Sequence, residues 1–495
     1  MFRHRRLLIF LISLISIPAY SNEFQGISYK VESSVVLSDG DHSPFWLTSN
    51  RYGLSSIKNN WGVLKAGATY TKSFNNNWKL ETGLEVAAMH NTNSDFVIQQ
   101  AYADISYKRL FLSIGSKEEE PYLINPSLSS GDLIEGINTR PIPRIKIGLK
   151  NYTSIPKTNN WVKIKGYVSF GWFADNDWQR SFVNKGSYYT NNVLIHRKEV
   201  FLKIGRMDKF PVELEMGVNH GVQFGGERWR KGDASPVDKM PHSFSDHVRV
   251  LFCGSGGDKS LKGEQLNALG NHIGSWNFAL KFKFNDYLIK TYFQHMFEDG
   301  SGMIFEYGAW KDGLVGISVK REKKGWIDEF LVEYLATKRQ TASMQNEGWS
   351  DIPTKITGTD DYYNNGIYLA WQHHGMGLGN PLLTSPIYNN NTISFLNNRI
   401  TGYHIAVSGT PLSCIRYRAM ITLTNNYGTY SNPYDKCEKQ LNSMLEVSYS
   451  PSSMKGWTFT ASAAYDKGEV TGDNFGGMLT ITKVGNLNFN CNKRK

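Results

Sequence analysis

Apolar and polar residues alternate strictly over several long stretches of this chain. In "NWKLETGLEVAAMH" Trp78, Leu80, Thr82, Leu84, Val86 and Ala88 share one face, and Lys79, Glu81, Gly83, Glu85 and Ala87 share the other. "WVKIKGYVSFGWF" sets Val162, Ile164, Val168, Phe170 and Trp172 against Lys163, Lys165, Tyr167 and Ser169. "PVELEMGVNH" sets Val212, Leu214, Met216 and Val218 against Glu213, Glu215 and Asn219. Near the end, "WTFTASAAY" sets Trp457, Phe459, Ala461, Ala463 and Tyr465 against Thr458, Thr460 and Ser462. A period of two predicts strands with one apolar and one polar face.

Two architectures accept such strands. A soluble sandwich or barrel turns the apolar face inward, and a membrane barrel turns it toward lipid. Length favours the membrane: several runs extend over about 9–13 residues, where about 9–11 tilted residues cross a bilayer. Trp78, Trp161, Trp172 and Tyr465 stand near strand ends, where interfacial girdles of aromatics form. Connections alternate too. Asn75-Asn76-Asn77, Lys108-Arg109 and Asn285-Asp286 read as tight turns, and residues 221–275, 298–315 and 340–362 as long polar loops. Short turns on one side and long loops on the other predict an antiparallel outer-membrane β-barrel. At roughly 25 residues per strand and loop, the strand number is even and in the high teens. Residues 116–149, dense in proline and turns, fit no strand; they are expected to plug the lumen or cap one mouth, and have room for a short helix. In "HSPFWLTSNRYGLSS", residues 42–56, Pro44 and Gly53 break pairing, so Phe45, Trp46 and Tyr52 should fold inward or against a rim.

The N-terminus adds a destination. Arg3, His4, Arg5 and Arg6 precede an apolar run from Leu7 to Ile17, and Ala19-Tyr20-Ser21 offers a cleavage site before Asn22. Residues 1–21 are therefore expected to be a secretory signal, with the barrel in residues 22–495. Without the signal's three arginines the net charge falls from +11 to about +8. A moderately basic exported chain suits an anionic partner such as acidic polysaccharide or lipopolysaccharide, while its dispersed lysines argue against nucleic acid. Cys253, Cys414, Cys437 and Cys491 have neither CxxC nor finger spacing, so neither a disulfide scaffold nor a zinc finger is expected.

Motifs for catalysis are weak. Glu118-Glu119-Glu120 reads as a solvated acidic run, and Glu298-Asp299 as a loop whose neighbouring side chains diverge. His272, His295, His373, His374 and His404 contain no i, i+4 pair, and no GxSxG marks a nucleophile. The "GSGG" at 254–257 is a loop without a strand-to-helix context. The expectation is a protein without catalysis, cofactor or metal.

A dozen short strings in order carry a more specific signal. They include "HSPFWLTSNRYG", "LSSGDLIEGINTRPIPRIKIG", "LIHRK", "GVNHGVQFGG", "NALGNHIGSW", "EYLATKRQT", "DYYNNGIYLAWQHHGMGLGNPLL" and "NNRITGYH". In these the chain resembles the Wzi-type capsule assembly family in its Bacteroidetes form, almost end to end. The resemblance implies an outer-membrane barrel of about 18 strands. Some members carry a small periplasmic helical bundle and a lumen blocked by loops, and enterobacterial members act as lectins attaching capsular polysaccharide. Two departures stand out: "NCNKRK" follows a final strand near Met478–Phe489, and Phe224 replaces a tryptophan expected in "GVQFGG".

Sugar recognition uses aromatic faces, planar amides, arginine and carboxylates. Within the recurring strings, Arg140, His196, Lys198, His220, Asn271, His272, Trp371, His373, Asn397 and Arg399 are the candidate polysaccharide-binding residues. Trp371 and His373 are expected to share a strand face, with a pyranose stacked on the indole. The partners expected are capsular or other surface polysaccharide, outer-membrane lipid and the polysaccharide export machinery. The alternatives are a saccharide-conducting porin and an outer-membrane enzyme acting on lipid or glycan.

Overall fold

The computed structural model describes residues 25–74, 77–298, 302–303, 311–345 and 356–488. The expected signal at 1–21, the turn residues Asn75 and Asn76, Asp299, Phe489 and Cys491 lie outside them. Eighteen antiparallel strands form one sheet. They are β1 (Gln25–Gly40), β2 (Gly62–Ser73), β3 (Trp78–His90), β4 (Phe96–Tyr107), β5 (Leu110–Ser116), β6 (Arg144–Ser154), β7 (Val162–Trp172), β8 (Leu194–Gly205) and β9 (Val212–Phe224). There follow β10 (Asn271–Phe284), β11 (Tyr287–Phe297), β12 (Gly313–Arg321), β13 (Glu329–Ala336), β14 (Ile400–Leu412), β15 (Ile415–Gly428), β16 (Pro433–Tyr449), β17 (Trp457–Gly468) and β18 (Asn474–Asn488). The first strand pairs with the last, Val35 opposite Leu479, so the sheet closes and leaves no edge. No described helix is long and apolar enough to cross a membrane; the crossing is made by strands.

The alternation read from the sequence sets the two faces. Val35, Leu84, Ile147, Leu280, Ile405 and Leu479 are exposed on the outer wall. Trp78, Trp161, Trp172 and Tyr465 are likewise exposed near strand ends. Opposite-parity residues meet in the lumen: Lys203 bridges Glu213 and Glu215 at 3.0 Å each, and Lys281 reaches Glu215 at 2.8 Å. Burying such charges is tolerable only because each finds a partner.

Strand direction alternates, so every connection leaving an odd-numbered strand emerges at one rim. Among the described residues, that rim carries the long segments 41–61, 117–143, 173–193, 225–270, 337–345 and 356–399. The other rim has short turns, including Lys108 and Asn285 in the left-handed region at φ 54° and 50°. Three expected segments shorten. Residues 221–224 and 271–275 belong to β9 and β10, residues 313–315 to β12, and residues 144–149 to β6. Residues 117–143 contain no helix.

Two of the long segments fold into the lumen and hold each other. Leu133, Ile134, Trp371, Leu378, Leu383 and Phe395 form a fully buried apolar core inside polar walls. Between the segments, Asn138 Nδ2 donates to the Gly377 carbonyl at 3.0 Å and Gly136 N to Leu378 O at 2.8 Å. Wall side chains moor the first segment. Glu333 accepts from Ser129 Oγ at 2.5 Å and from Ser130 N at 2.8 Å, and Gln294 donates to Asp132 at 2.7 Å. The string at 42–56 turns inward as expected: Phe45–Thr48 make one buried helical turn, and Phe45 N donates to Asp466 at 2.7 Å.

Register fixes the cysteines as well. Cys414 occupies the turn before β15, where Ile415 faces Tyr449, whereas Cys437 adjoins Glu438, which faces Asn426 at the far end. Twelve strand residues separate the two levels, about 40 Å at 3.3 Å per residue, against the roughly 4.4–6.8 Å between Cα atoms that a disulfide needs. Mass spectrometry of unreduced protein should find no Cys414–Cys437 bridge. Such a bridge would contradict this register.

Candidate functional site

The ten residues expected to bind polysaccharide separate into four places. His196, Lys198, His220 and His272 lie on the outer wall, because on β8, β9 and β10 they share the parity of the lipid-facing residues. They are covered there by residues 225–270. His196 packs against Phe170 at 4.4 Å and bonds the Ser169 carbonyl at 3.0 Å. These four candidates therefore do not face the lumen.

Trp371, His373 and Asn397 belong to the plug, and Asn271 bonds it from the wall strand β10. Trp371 is 0 % exposed and donates from Nε1 to the Ile134 carbonyl at 2.8 Å. Its indole lies over Gly221, where a Cβ would stand only 2.6 Å from the ring. It falls between two short two-residue strands rather than on one strand face with His373, so no ring face is open to a pyranose. His373 donates from Nδ1 to the Arg140 carbonyl at 3.0 Å and accepts the Ala174 N–H at 3.2 Å. Asn271 bonds Gln223 and Asn365, and Asn397 bonds Thr384 and Asn426. Arg399 sits at the rim with its guanidinium 3.8 Å from the centre of the Tyr430 ring.

Arg140 alone among the ten lines the lumen cavity. Beneath the first plug segment lies a cavity of about 620 Å³, reaching down to Leu149, Lys150 and Lys165. Its walls come mainly from β5 to β8, with Asp104 of β4, Asn219 of β9 and Asn277 of β10, and its roof from Asp132, Glu135 and Thr139. The lining mixes cations, carboxylates and phenol rings. Lys146 pairs with Glu119 at 2.6 Å and lies 3.7 Å from the Tyr167 ring centre, and Lys165 lies 3.0 Å from that of Tyr122. A smaller cavity beside it, also bordered by Tyr52 and Glu120, is lined by Trp46, Arg51 and Arg418.

The electrostatics there are uneven. Burial would raise the Glu135 carboxyl, yet the Arg144 and Arg197 guanidiniums hold it at about 2, with Arg144 at 2.5 Å and Arg197 at 3.4 Å. Glu118, half-buried and bonded by Gln99 at 2.7 Å, is pushed upward by the loss of water. In the acidic run at 118–120, expected to be solvated, Glu119 and Glu120 are exposed, although Lys146 bonds Glu119, and only Glu118 is half-buried. Arg140 makes no ion pair among the described residues, its Nε has no hydrogen-bond partner, and burial lowers it to about 10. A half-buried cation without a counter-charge is a natural seat for an anionic or hydroxyl-rich ligand.

Tyr52, Lys117, Tyr122, Lys146, Lys165 and Tyr167 were not among the sequence candidates, though each lines this cavity. For the strand residues the signal was present. Lys146, Lys165 and Tyr167 occupy the polar faces of their strands, and the polar face of a membrane barrel is its lumen.

A family model described as capsule assembly protein Wzi matches residues 57–382. None of the curated proteins compared matches the chain. Among solved structures, the fold is similar to Wzi of Escherichia coli, described as an outer membrane protein involved in group 1 capsule assembly and a carbohydrate-binding β-barrel. The TM-score is 0.56 at 14 % identity, over 91 % of this chain and 83 % of that one. OccAB4 of Acinetobacter baumannii gives 0.48 at 8 % identity, over 94 % and 98 % of the two chains. OccK3 of Pseudomonas aeruginosa gives 0.48 at 10 %, over 94 % and 96 %. At these identities the likeness concerns the fold.

Proposed function

The chain belongs to the Wzi capsule assembly family, and on that premise we propose that it assists the assembly or surface attachment of capsular polysaccharide from the outer membrane, by binding the glycan without catalysis. The observation that carries this reading is the plugged lumen. A fully buried apolar core fills its upper part, above a cavity lined by Arg140, lysines, carboxylates and tyrosines. Such a lining suits an acidic glycan: cations for its carboxylates, phenol rings for sugar faces, and acceptors for hydroxyls. The second reading, a saccharide-conducting porin, requires a continuous path that this core opposes. Glycoside cleavage needs an acid and a base free to act. Of the cavity's carboxylates, Glu119 is held by Lys146 and Glu135 by Arg144 and Arg197, so neither of these two is free for that role.

Two further partners belong to the same reading. Outer-leaflet lipid would meet the apolar wall and, continuous with it, the helix Phe244–Leu251 and its flank, where Phe244 is 84 % and Phe252 76 % exposed. The export machinery would approach from the short-turn rim. A strain lacking this protein should still synthesise polymer but release it into the medium, measured by capsule staining and by polysaccharide in the supernatant. Unchanged retention would remove the reading, and saccharide conductance by the purified protein in planar bilayers would replace it with the porin.

A further inference from the structure

On the outer wall, away from the lumen cavity, ligand atoms from three separate parts of the chain converge. His220 on β9 and His272 on β10 point outward from adjacent strands, with His272 Nδ1 3.1 Å from His220 Nε2. Cys253 Sγ joins them from just beyond the helix Phe244–Leu251, and all three ligand atoms lie within 4.8 Å of one another. Nothing in the barrel requires this meeting. The residues come from positions 19 to 52 apart, and residues 225–270 fold back over the wall to bring Cys253 there.

The surroundings of His272 are those of a ligating imidazole. His272 Nε2 stands 3.0 Å from the Leu269 carbonyl, and an N–H given to that oxygen leaves Nδ1 bare toward His220 and Cys253. A histidine whose far N–H is oriented by a carbonyl is the usual supporting arrangement at a metal. The 3.1 Å between the two nitrogens is close to the edge of a tetrahedron with bonds of about 2.0–2.1 Å, which is about 3.3 Å. Both histidines lie under the fold-back, while Cys253 is exposed, which gives an ion an entry and a water a fourth position. Nitrogen and sulfur donors with no carboxylate among them suit zinc rather than calcium or magnesium.

We propose that His220, His272 and Cys253 form a zinc site on the outer wall, clipping residues 225–270 to β9 and β10. Lys198 is its competitor. Its ammonium lies 3.2 Å from the Cys253 sulfur and donates to the Leu251 carbonyl at 2.7 Å, so its charge opposes an incoming cation. Metal then has to displace the lysine from the sulfur, while the carbonyl can keep it.

Cobalt(II) is the probe, added to the full-length barrel in detergent with thiols kept reduced. One equivalent should give tetrahedral visible bands and a thiolate-to-cobalt charge-transfer band, both bleached by one equivalent of zinc. Cys253→Ser, a change at an exposed turn, should keep heat-modifiable gel migration and lose the charge-transfer band. Lys198→Met should keep the spectrum and bind cobalt several-fold more tightly. The proposal is overturned if stoichiometric cobalt gives no charge-transfer band, if the band persists in Cys253→Ser, or if Lys198→Met abolishes binding.

Discussion

Replacing Trp371 by alanine should destabilise the plug by about 3–5 kcal/mol, the usual cost of emptying a buried tryptophan site. The barrel itself should still assemble. Trp371 holds the second lumen segment against the first through its bond to the Ile134 carbonyl, and its ring fills the space left by Gly221. The eighteen-strand hydrogen-bond ladder does not pass through it. The expected result is normal heat-modifiable migration together with new ionic conductance in planar bilayers and faster proteolysis of residues 117–143 and 360–399. A non-conducting, protease-resistant variant that sheds polysaccharide would instead return Trp371 to direct glycan contact.

Arg140→Ala should do the reverse, leaving the plug intact and weakening the ligand. The guanidinium borders the cavity without an ion pair among the described residues, so its loss empties no internal bond. A hydrogen bond to a charged group contributes about 1.5–3 kcal/mol, which is roughly 10- to 150-fold in affinity. Titration calorimetry with oligosaccharide cut from the strain's own capsule measures this, with Arg140→Lys retaining part of the affinity. Wild-type affinity in Arg140→Ala would exclude the cavity as the binding site.

The sequence by itself determined the wall. A period of two in "PVELEMGVNH" places Glu213 and Glu215 in the lumen and Leu214 and Met216 toward lipid, because successive side chains leave a strand on opposite faces. The same parity, carried two residues further, puts His220 on the outer face. That part of the candidate site was legible and was overridden by motif membership. Turns such as Asn285-Asp286 were equally readable, since they depend only on neighbouring residues. The tertiary structure alone decided what fills the barrel. Trp371 is buried because Ile134 and Gly221, 237 and 150 positions away, close around it. Glu135 pairs with Arg144 and Arg197, while Arg140 makes no ion pair among the described residues. Whether a side chain in a lumen segment becomes core, mooring or free ligand depends on which wall residues face it. Those pairings exist only once the first strand has met the last.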